Sequence, residues 1–514
     1  MYDYIFQNAL VYDGLGGSPY RASVAVYSDT IAYIGNCGLT RARGTVDASR
    51  MVLAPGFIDI HSHTDLEALR DRSMRRKAYQ GITLDISGNC GIGTFPNAGK
   101  PLEKACEDVL GKYGSWSWNG FREYREELES GGIGINMGFL QPHSALRYYV
   151  LGEDAGRAAD EDEIERMRCL LAESLDQGAL GFSTGLYYNP CAFAQRDELI
   201  ALLGEVKRHD GLFSVHHRCE GNEVLESLDE ILSIALECGV RTEISHLKAI
   251  GKKNQEKVPG MLGLIDSYRE KGLDARFDQY PYIYGSTSLF SLLPPDILRL
   301  TRLEQRIALS MDNEREEIRD EILNPHGWDS VYELVGPENI RILHLENSPQ
   351  HEGKTLEELG KELGEDPLFA LFDVLQDEIG LAVMTDITQT EESLETIMRS
   401  PLMCFGSDSL FSSPVCHPRS DHAAIELIAR YARDRKVLTL EECIARLTHR
   451  AAERLGIRDR GAIREGCKAD LVLFDPEKLS PEKECNGLEA VLVNGKPVLW
   501  GGKPVEGLSG RVIV

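Results

Sequence analysis

The sequence predicts an α/β protein, a (β/α)8 TIM-like barrel with a small β-sandwich domain built from both termini. Three observations support this fold class. The two ends of the chain alternate apolar and polar residues, the middle alternates short apolar runs with amphipathic helical stretches, and reactive side chains directly follow those runs. Since 514 residues exceed what one compact core usually holds, we expect a large domain and a smaller companion.

Both ends of the chain show the pattern of short antiparallel strands between turn signals. The predicted strands are 4–12, 23–27 and 30–34 near the N-terminus, and 470–474, 490–495, 497–500 and 511–514 near the C-terminus. Strands at opposite ends of the chain indicate one β-sandwich domain closed by both termini. We expect this domain to comprise residues 1–54 plus 460–514.

The middle of the chain has the pattern of a parallel sheet with crossover helices. Reactive residues follow its apolar runs, and side chains gathered at the C-terminal ends of successive strands are typical of a (β/α)8 barrel. A doubly wound sheet would need a GxGxxG turn after a strand, which the sequence lacks. A barrel needs only about 250 residues, so we expect the barrel at 55–459 to carry an insertion or lid at about 289–349. The predicted strands are 81–86, 134–138, 180–183, 212–215, 241–245, 275–278 and 402–406.

The acidic composition argues against two classes of partner. The chain has 82 acidic and 56 basic residues and a formal charge of -26, so we expect neither nucleic acid nor an anionic membrane as a partner. No stretch approaches the roughly 20 apolar residues of a membrane span, and we expect a cytoplasmic protein that acts on a small molecule. Twelve cysteines, spread from Cys37 to Cys485 without a CxxC, predict reduced thiols. The oligomeric state stays open.

His61 and His63 directly follow the apolar run 52–60. Because strand side chains alternate with a period of two, both imidazoles face the same side and can share one ion. This HxH pattern is weak evidence by itself, since turn histidines are common. His216 and His246 strengthen it, because each ends its own apolar run and is expected at the same barrel mouth. Clustered imidazoles without a metal or carboxylate would repel one another when protonated.

Cys90 lies in a loop of small residues, 87–93, that follows a predicted strand. A buried thiol is the ordinary role of such a cysteine. Its place after the strand that follows the HxH strand favours a metal ligand instead, and the small neighbours leave the thiolate open to a cation. A thiolate combined with two imidazoles favours zinc over magnesium or calcium, so the sequence predicts a Zn²⁺ site.

Asp408 follows the last clear barrel strand of the sequence. An aspartate at this place can be a metal ligand, a proton shuttle or both, and its structural alternative is the N-cap of the next helix. We favour the proton shuttle, because hydrolysis at a metal centre needs a nearby base that accepts the proton of the attacking water and returns it to the leaving group.

Together these motifs resemble the amidohydrolase superfamily and, within it, the N-acyl-D-amino-acid deacylase (D-aminoacylase) family. The HxH motif is shared across the superfamily, whereas the cysteine loop and the segment His-Pro-Arg are much more specific to the deacylase branch. The resemblance covers nearly the whole chain. The segments that carry it are 54–65, 88–91, 183–187, 216–221, 245–248, 280–282, 285–287, 406–408 and 417–419.

The resemblance implies a metal centre with unequal positions. It implies one tightly bound zinc held by Cys90, His216 and His246. His61 and His63 would form a second, weaker metal position beside it.

The resemblance also implies the roles of other residues. Asp408 would be the catalytic acid and base, and His217, next to the ligand His216, would not bind metal. The reaction implied is hydrolysis of the amide bond of N-acyl-D-amino acids to a carboxylate and a free D-amino acid. One lysine or arginine combined with hydroxyls suits a fixed anionic group. The free carboxylate of the substrate would be held by Lys248, Tyr280, Ser286 and Arg419.

Two departures from the family pattern leave side-chain and acyl preferences open. Arg419 is followed by Ser-Asp-His-Ala-Ala, and the segment 141–147 replaces a usual Gly-His segment, although His143 and Arg147 still match. Two other functions remain as alternatives. A hydrolase of cyclic amides, like a dihydroorotase or hydantoinase, commonly has a carboxylated lysine where this chain has Cys90, and a non-catalytic barrel protein would have lost at least one of the site residues.

Overall fold

The computed structural model describes residues 1–35, 41–378 and 380–514. The strands of these residues, in chain order, are β1 (Tyr2–Val11), β2 (Tyr20–Tyr27), β3 (Thr30–Gly35), β4 (Ala42–Asp47), β5 (Val52–Pro55), β6 (Phe57–Asp59), β7 (Ser62–His63), β8 (Ile82–Ser87), β9 (Asn136–Phe139), β10 (Gln141–Pro142), β11 (Gly181–Gly185), β12 (Leu212–His216), β13 (Arg241–Ile244), β14 (Ala275–Gln279), β15 (Tyr284–Ser288), β16 (Ile340–Leu345), β17 (Ala382–Ile387), β18 (Met403–Phe405), β19 (Ser409–Leu410), β20 (Leu471–Phe474), β21 (Leu488–Val493), β22 (Lys496–Trp500) and β23 (Lys503–Pro504).

The α-helices of the same residues are α1 (Glu67–Arg70), α2 (Arg75–Ala78), α3 (Lys100–Leu110), α4 (Phe121–Gly131), α5 (His143–Leu151), α6 (Glu161–Asp176), α7 (Arg196–Arg208), α8 (Val224–Cys238), α9 (Val258–Glu270), α10 (Pro295–Leu298), α11 (Arg302–Ser310), α12 (Asp312–Leu323), α13 (Val331–Val335), α14 (Leu356–Leu363), α15 (Pro367–Asp377), α16 (Glu391–Arg399), α17 (Arg419–Glu426), α18 (Leu440–Leu447) and α19 (His449–Arg454). A π-helical segment, Leu427–Asp434, continues α17.

Among the described residues, eight parallel strands form the barrel, which confirms the predicted (β/α)8 fold. β6, β8 and β9 pair in this order, and β10, β11, β12, β13, β14 and β18 continue the ring. β9 and β10 are separated by Leu140 alone and together form the third barrel strand. The ring closes where the N–H of Ile60 donates to the carbonyl of Phe405 at 3.3 Å.

The β domain is built from both ends of the chain, as predicted. β23, β22, β21, β20, β5, β1, β2 and β3 form one hydrogen-bonded sheet in this order, with β4 added beside β1. Apolar side chains such as Phe6, Val24 and Leu473 form a core of their own. The prediction of a strand at 511–514 is wrong. The end of the chain leaves this sheet because Val512 pairs with Met137 of β9 and is buried against the barrel.

An insertion, residues 284–387, separates β14 from the last barrel strand. Its strands β15, β17 and β16 form an antiparallel sheet, and α10 to α15 pack around it. Its apolar core, which includes Leu309, Leu371 and Met384, is a separate cluster from the barrel core. The predicted insertion at 289–349 lies inside this unit, which continues through β17. We keep 1–54 plus 460–514 and 55–459 as the proposed domain bounds.

The eleven described cysteines are all free thiols, and Cys37 lies outside the described residues. No helix in the described part of the chain is long and apolar enough to cross a membrane.

Candidate metal centre and substrate pocket

The barrel brings every predicted metal ligand to one mouth, at the C-terminal ends of the strands. His63 ends β7, with His61 just before it, and Cys90 follows β8. His216 ends β12, and His246 follows β13. All five side chains are buried. This arrangement follows from the topology, because parallel strands of a closed barrel all end at the same rim.

The central contacts join Cys90 to two of the histidines. Its Sγ lies 3.3 Å from Nε2 of His61 and 3.5 Å from Nε2 of His246. Asp408 lies on the other side of the histidine pair, with Oδ1 at 3.2 Å from Nε2 of His63 and 3.6 Å from Nε2 of His61. Thiol, imidazole and carboxylate groups therefore converge on one small volume.

The backbone at the barrel mouth is held in unusual conformations. Cys90, His246 and Asp408 have φ angles of 51°, 36° and 52°, in the left-handed region that non-glycine residues rarely adopt. Gly406 is required beside them, because a Cβ there would come within 2.6 Å of Oδ1 of Asp278 and 2.7 Å of Cβ of His61. Strain of this kind is typical of functional sites, where packing holds the side chains in place.

Two carboxylates orient the histidine rings. Asp278 Oδ2 lies 3.1 Å from Nδ1 of His61, and its Oδ1 accepts the N–H of His246 at 2.9 Å. Glu220 Oε1 lies 3.2 Å from Nδ1 of His246, and Nζ of Lys248, which donates to Glu220, lies 2.9 Å from the same nitrogen. Each carboxylate fixes one ring nitrogen and leaves Nε2 directed at Cys90, which is how second-layer groups position the histidines of metal sites. The sequence interpretation missed both, although Asp278 ends a predicted strand and Glu220 lies in the motif 216–221.

Three overlapping groups of described side chains have the spacing of metal ligands. One consists of His61, Cys90 and His246, the second of His61, His63 and Asp408, and the third of His216, Glu220 and His246. Of the predicted trio, Cys90 and His246 share a group, whereas His216 joins through His246.

His216 is the most conspicuous donor in these groups. It is buried, and neither of its ring nitrogens has a hydrogen-bond partner within the described residues. The ring packs at 4.5 Å from that of His246. A buried imidazole with two unsatisfied nitrogens is costly unless another group binds it.

The charges of the site support anionic Cys90 and Asp408. Burial raises the pKa of the Cys90 thiol, but the adjacent His61 and His246 outweigh this and hold the pKa well below its usual range. Burial likewise raises the pKa of Asp408, while Arg419 and His63 outweigh it and hold that pKa well below the usual range. A thiolate and a carboxylate are the forms that bind a cation.

The metal ligands His216 and His246 form part of the lining of a pocket. The other lining residues include Lys248, Tyr280, Ser286, Asp386 and Asp408. Lys248 donates to Glu220 at 2.7 Å. Ser286 lies on β15 of the insertion, and its hydroxyl donates to the carbonyl of Met384 at 2.8 Å. The structure thus brings the residues predicted to hold a carboxylate to the same cavity as the predicted metal ligands.

Arg419, at the start of α17, connects the two sides of this pocket. Its guanidinium donates to Asp408 at 2.8 Å and to the backbone carbonyl of Ser286 at 3.0 Å, and lies 4.9 Å from the ring centre of Tyr280.

Three residues lie outside the pocket lining: His217, which was predicted not to bind metal, and His143 and Arg147, to which no role was assigned. His217 points to Ser227, whose Oγ lies 3.0 Å from its Nδ1, and burial lowers its pKa to about 3. His143 and Arg147 are both bound to the buried carboxylate of Glu198, at 2.8 Å and 2.5 Å. His143, Arg147 and Glu198 form a buried charged cluster.

Comparison with known proteins decides the family. The sequence profile of the amidohydrolase family matches residues 44–267 and 324–499. This chain belongs to the amidohydrolase family. The resemblance found in its sequence motifs is thereby confirmed.

Characterised relatives align with nearly the whole chain. A D-aminoacylase of Alcaligenes xylosoxydans xylosoxydans is 31% identical, with 100% of this chain and 97% of the relative covered. An N-acyl-D-aspartate deacylase of the same organism is 30% identical over 98% of this chain and 92% of the relative. The crystal structure of an N-acyl-D-glutamate deacylase from Bordetella bronchiseptica, complexed with zinc and a phosphonate mimic of the tetrahedral intermediate, superposes with a TM-score of 0.85 at 29% identity, covering 100% and 99% of the two chains.

Proposed function

We propose that this protein is a zinc-dependent hydrolase of N-acyl-D-amino acids that releases a carboxylate and a free D-amino acid. The observation that carries the proposal is the position of Cys90 between His61 and His246, with Lys248 and Arg419 in the lining of the adjoining pocket. Metal ligands and fixed cations in one cavity suit a substrate with a reactive amide and a free carboxylate. Relatives that cover the whole chain are a D-aminoacylase and an N-acyl-D-aspartate deacylase.

The residues at the barrel mouth fit zinc. Cys90 and His246, with the unsatisfied nitrogens of His216, offer the thiolate and imidazole donors that zinc prefers. We assign the tight position to these three residues and a second, weaker position to His61 and His63. When bound, zinc would polarise the amide carbonyl and lower the pKa of water.

Asp408 is the residue we assign to proton transfer. Its carboxylate faces the histidine pair on one side and the pocket on the other, and Arg419 fixes its orientation at 2.8 Å. It accepts the proton of the attacking water and returns it to the nitrogen of the leaving amine. The low pKa that Arg419 imposes keeps Asp408 ionised, ready to accept that proton.

The substrate carboxylate would bind to the cations and hydroxyls of the same pocket. Arg419 and Lys248 supply positive charge, and the hydroxyls of Tyr280 and Ser286 supply hydrogen-bond donors. Charge and hydroxyls together would fix the amino-acid end of the substrate, so that its amide bond reaches Asp408 and the metal ligands.

The cyclic-amide alternative is less well supported. Enzymes of that kind commonly have a carboxylated lysine as the bridging ligand, whereas here the Sγ of Cys90 lies between His61 and His246, at 3.3 Å and 3.5 Å from their Nε2 atoms. The buried Lys77 is instead paired with Asp59 at 2.5 Å and Asp85 at 2.8 Å.

A substrate screen with zinc quantified in the same preparation tests the proposal. We expect turnover of N-acetyl or N-formyl D-amino acids, little turnover of the L-enantiomers, and about one tightly bound zinc per chain. Exclusive turnover of L-substrates, or of cyclic amides, would contradict it.

The variant Asp408→Asn tests the proton-transfer assignment. We expect it to retain zinc and to lose activity by at least about 100-fold, because general acid and base catalysis contributes about 10² to 10⁴. Asp377→Asn, on the exposed surface of the insertion, is the matched control and should behave like the wild type.

A further inference from the structure

We propose that the pocket selects N-acyl-D-amino acids whose side chain carries an ammonium or guanidinium group, and that Asp386 of the insertion is the residue that binds this group. The inference rests on the proposed function and names its substrate class. It depends on the position of Asp386, on its lack of a partner and on the charges of the remaining pocket residues.

Asp386 occupies a position where the strand pattern calls for an apolar residue. On β17, Ala382, Met384 and Asp386 face the same side because strand side chains alternate. The first two are fully buried in the apolar core of the insertion. Asp386 continues this face into the pocket, where 5% of its surface remains exposed. A carboxylate that replaces an apolar residue at the end of such a face needs a compensating partner.

The neighbours of Asp386 direct its carboxylate into the cavity. Gly285 is its direct partner on β15, and a Cβ on this glycine would lie 3.2 Å from Oδ1 of Asp386 and 3.6 Å from the hydroxyl oxygen of Tyr280. Because Gly285 has no side chain, Asp386 lies open to the space beside Tyr280, which we assign to the amino-acid end of the substrate. A side chain that extends from a D-amino acid held there can reach Asp386.

No hydrogen bond or salt bridge between described side chains engages the carboxylate of Asp386. Another acid of the pocket wall shows the contrast. Asp329 accepts the backbone N–H groups of Gly221 at 2.7 Å and of Asn222 at 3.1 Å. Burial raises the pKa of Asp386 to about 6 and outweighs the lowering effect of Lys248 and Arg419, neither of which forms a salt bridge with it among the described residues. A cation from the substrate would remove this penalty.

The two fixed cations of the pocket already have partners. Lys248 is paired with Glu220 at 2.7 Å, and Arg419 with Asp408 at 2.8 Å. They are the only lysine and arginine that line the pocket among the described residues. Binding of the α-carboxylate uses both, so that none remains for a second carboxylate.

This charge distribution predicts a substrate preference different from that of relatives named for acidic substrates. Two proteins similar to it are an N-acyl-D-aspartate deacylase and an N-acyl-D-glutamate deacylase. In this pocket an acidic side chain would meet the unpartnered Asp386 and be repelled. An ammonium or guanidinium group would meet the same carboxylate and form a charge-assisted hydrogen bond.

The decisive experiment compares matched substrates on the zinc-loaded enzyme. Nα-acetyl-D-lysine and N-acetyl-D-norleucine differ by the terminal amino group, and N-acetyl-D-glutamate supplies the opposite charge. We expect kcat/KM to be about 10- to 100-fold higher for the lysine than for the norleucine derivative, and lower still for the glutamate derivative. In Asp386→Asn the preference for lysine should fall to less than about threefold. Asp377→Asn, the exposed control, should retain the full preference.

The norleucine derivative is the internal control for folding. A variant that folds less well loses activity on both substrates, so the ratio of the two kcat/KM values still reports the preference. A preference for norleucine or glutamate in the wild type overturns the inference, and so does a ratio unchanged in Asp386→Asn. If the wild type turns over none of the D-substrates, the proposed function itself fails. Turnover of neutral or acidic D-substrates without a preference for lysine defeats this inference alone.

A second measurement needs no variant. Asp386 gains its negative charge as the pH rises through about 6, while it faces Lys248, Arg419 and Glu220. The ratio of lysine to norleucine turnover should therefore rise between pH 5 and 7. Dividing the lysine rate by the norleucine rate cancels the effect of enzyme groups whose titration changes both rates equally. A ratio that is constant over this range contradicts the inference.

Discussion

The two sides of the pocket are built in different ways. On the barrel side, Cys90, His246 and Asp408 are tied to their neighbours by a dense set of contacts and by strained backbone conformations. On the insertion side, β15 and β17 place side chains along one strand face, and no side chain of the described residues forms a hydrogen bond or salt bridge with the carboxylate of Asp386. The barrel side has the rigidity that bond cleavage requires, whereas the insertion side can vary with the substrate.

Two of the polar contacts between the two sides involve residues next to the site. Arg419 contacts Asp408 on the barrel side and the carbonyl of Ser286 on the insertion side. Asp329 of the insertion accepts two N–H groups from the barrel loop that follows Glu220. The orientation of substrate relative to the metal ligands should therefore depend on both connections.

The largest effect should come from the barrel side, in Cys90→Ser. Serine is a poor substitute for a thiolate ligand, so we expect zinc content to fall well below one per chain and activity to fall at least about 1000-fold. Zinc analysis and kcat/KM on the preferred D-substrate measure both. Cys169→Ser, at an exposed thiol, is the control and should change neither. Full zinc content and full activity in Cys90→Ser would contradict the assignment of Cys90 as a zinc ligand.

The barrel side was also the part that the sequence could predict. Parallel strands of a barrel end at one rim, so the local pattern of an apolar run followed by a histidine, cysteine or aspartate was enough to group the ligands. Glu220 and Asp278 were missed even though both follow or end such runs, because a carboxylate that orients a histidine has no spacing rule of its own. The one sequence feature that could have indicated them is their position near the end of a predicted strand.

The insertion side could not be predicted in the same way. Asp386 faces the pocket because β17 pairs with β15 in one particular register, and the two strands are far apart in the chain. Antiparallel register depends on packing and on the connections between strands, which the local sequence pattern does not reveal. The extent of the insertion was underestimated for the same reason. The sequence of β17 resembles that of any short strand before a helix, so it does not show that this strand belongs to the insertion. The end of the chain, 511–514, has a strand pattern but pairs with the barrel instead.

An intermediate effect should come from the connection between the sides. In Asp329→Ala, the N–H groups of Gly221 and Asn222 lose their acceptors, and the insertion loses two of its hydrogen bonds to this loop. We expect KM to rise about tenfold with zinc content unchanged, because substrate positioning suffers and the metal ligands do not. Steady-state kinetics and zinc analysis test this, with Asp377→Ala as the control on the exposed surface of the insertion. Loss of zinc in Asp329→Ala would show that metal binding on the barrel side depends on the contacts with the insertion.

The smallest effect should concern stability, at His143 in the buried cluster around Glu198. Burial lowers the pKa of this imidazole, but Cys191 and Glu198 raise it more, to about 9. The folded protein therefore binds this proton more tightly than the unfolded chain, whose histidine has a pKa near 6.5. The stabilisation is complete below pH 6.5 and is lost as the pH rises through 9, at most about 3 kcal/mol.

Urea unfolding of the wild type and of His143→Gln at pH 6, 7.5 and 9 measures this contribution. We expect the wild type to lose stability over this range more steeply than the variant, and the two curves to converge at the alkaline end. Both proteins should keep the same preference among D-substrates, because His143 lies outside the pocket lining. Parallel curves would show that the charge of His143 does not stabilise the fold. A changed preference would mean that the buried cluster around Glu198 helps to shape the pocket, and that selectivity is not confined to the insertion.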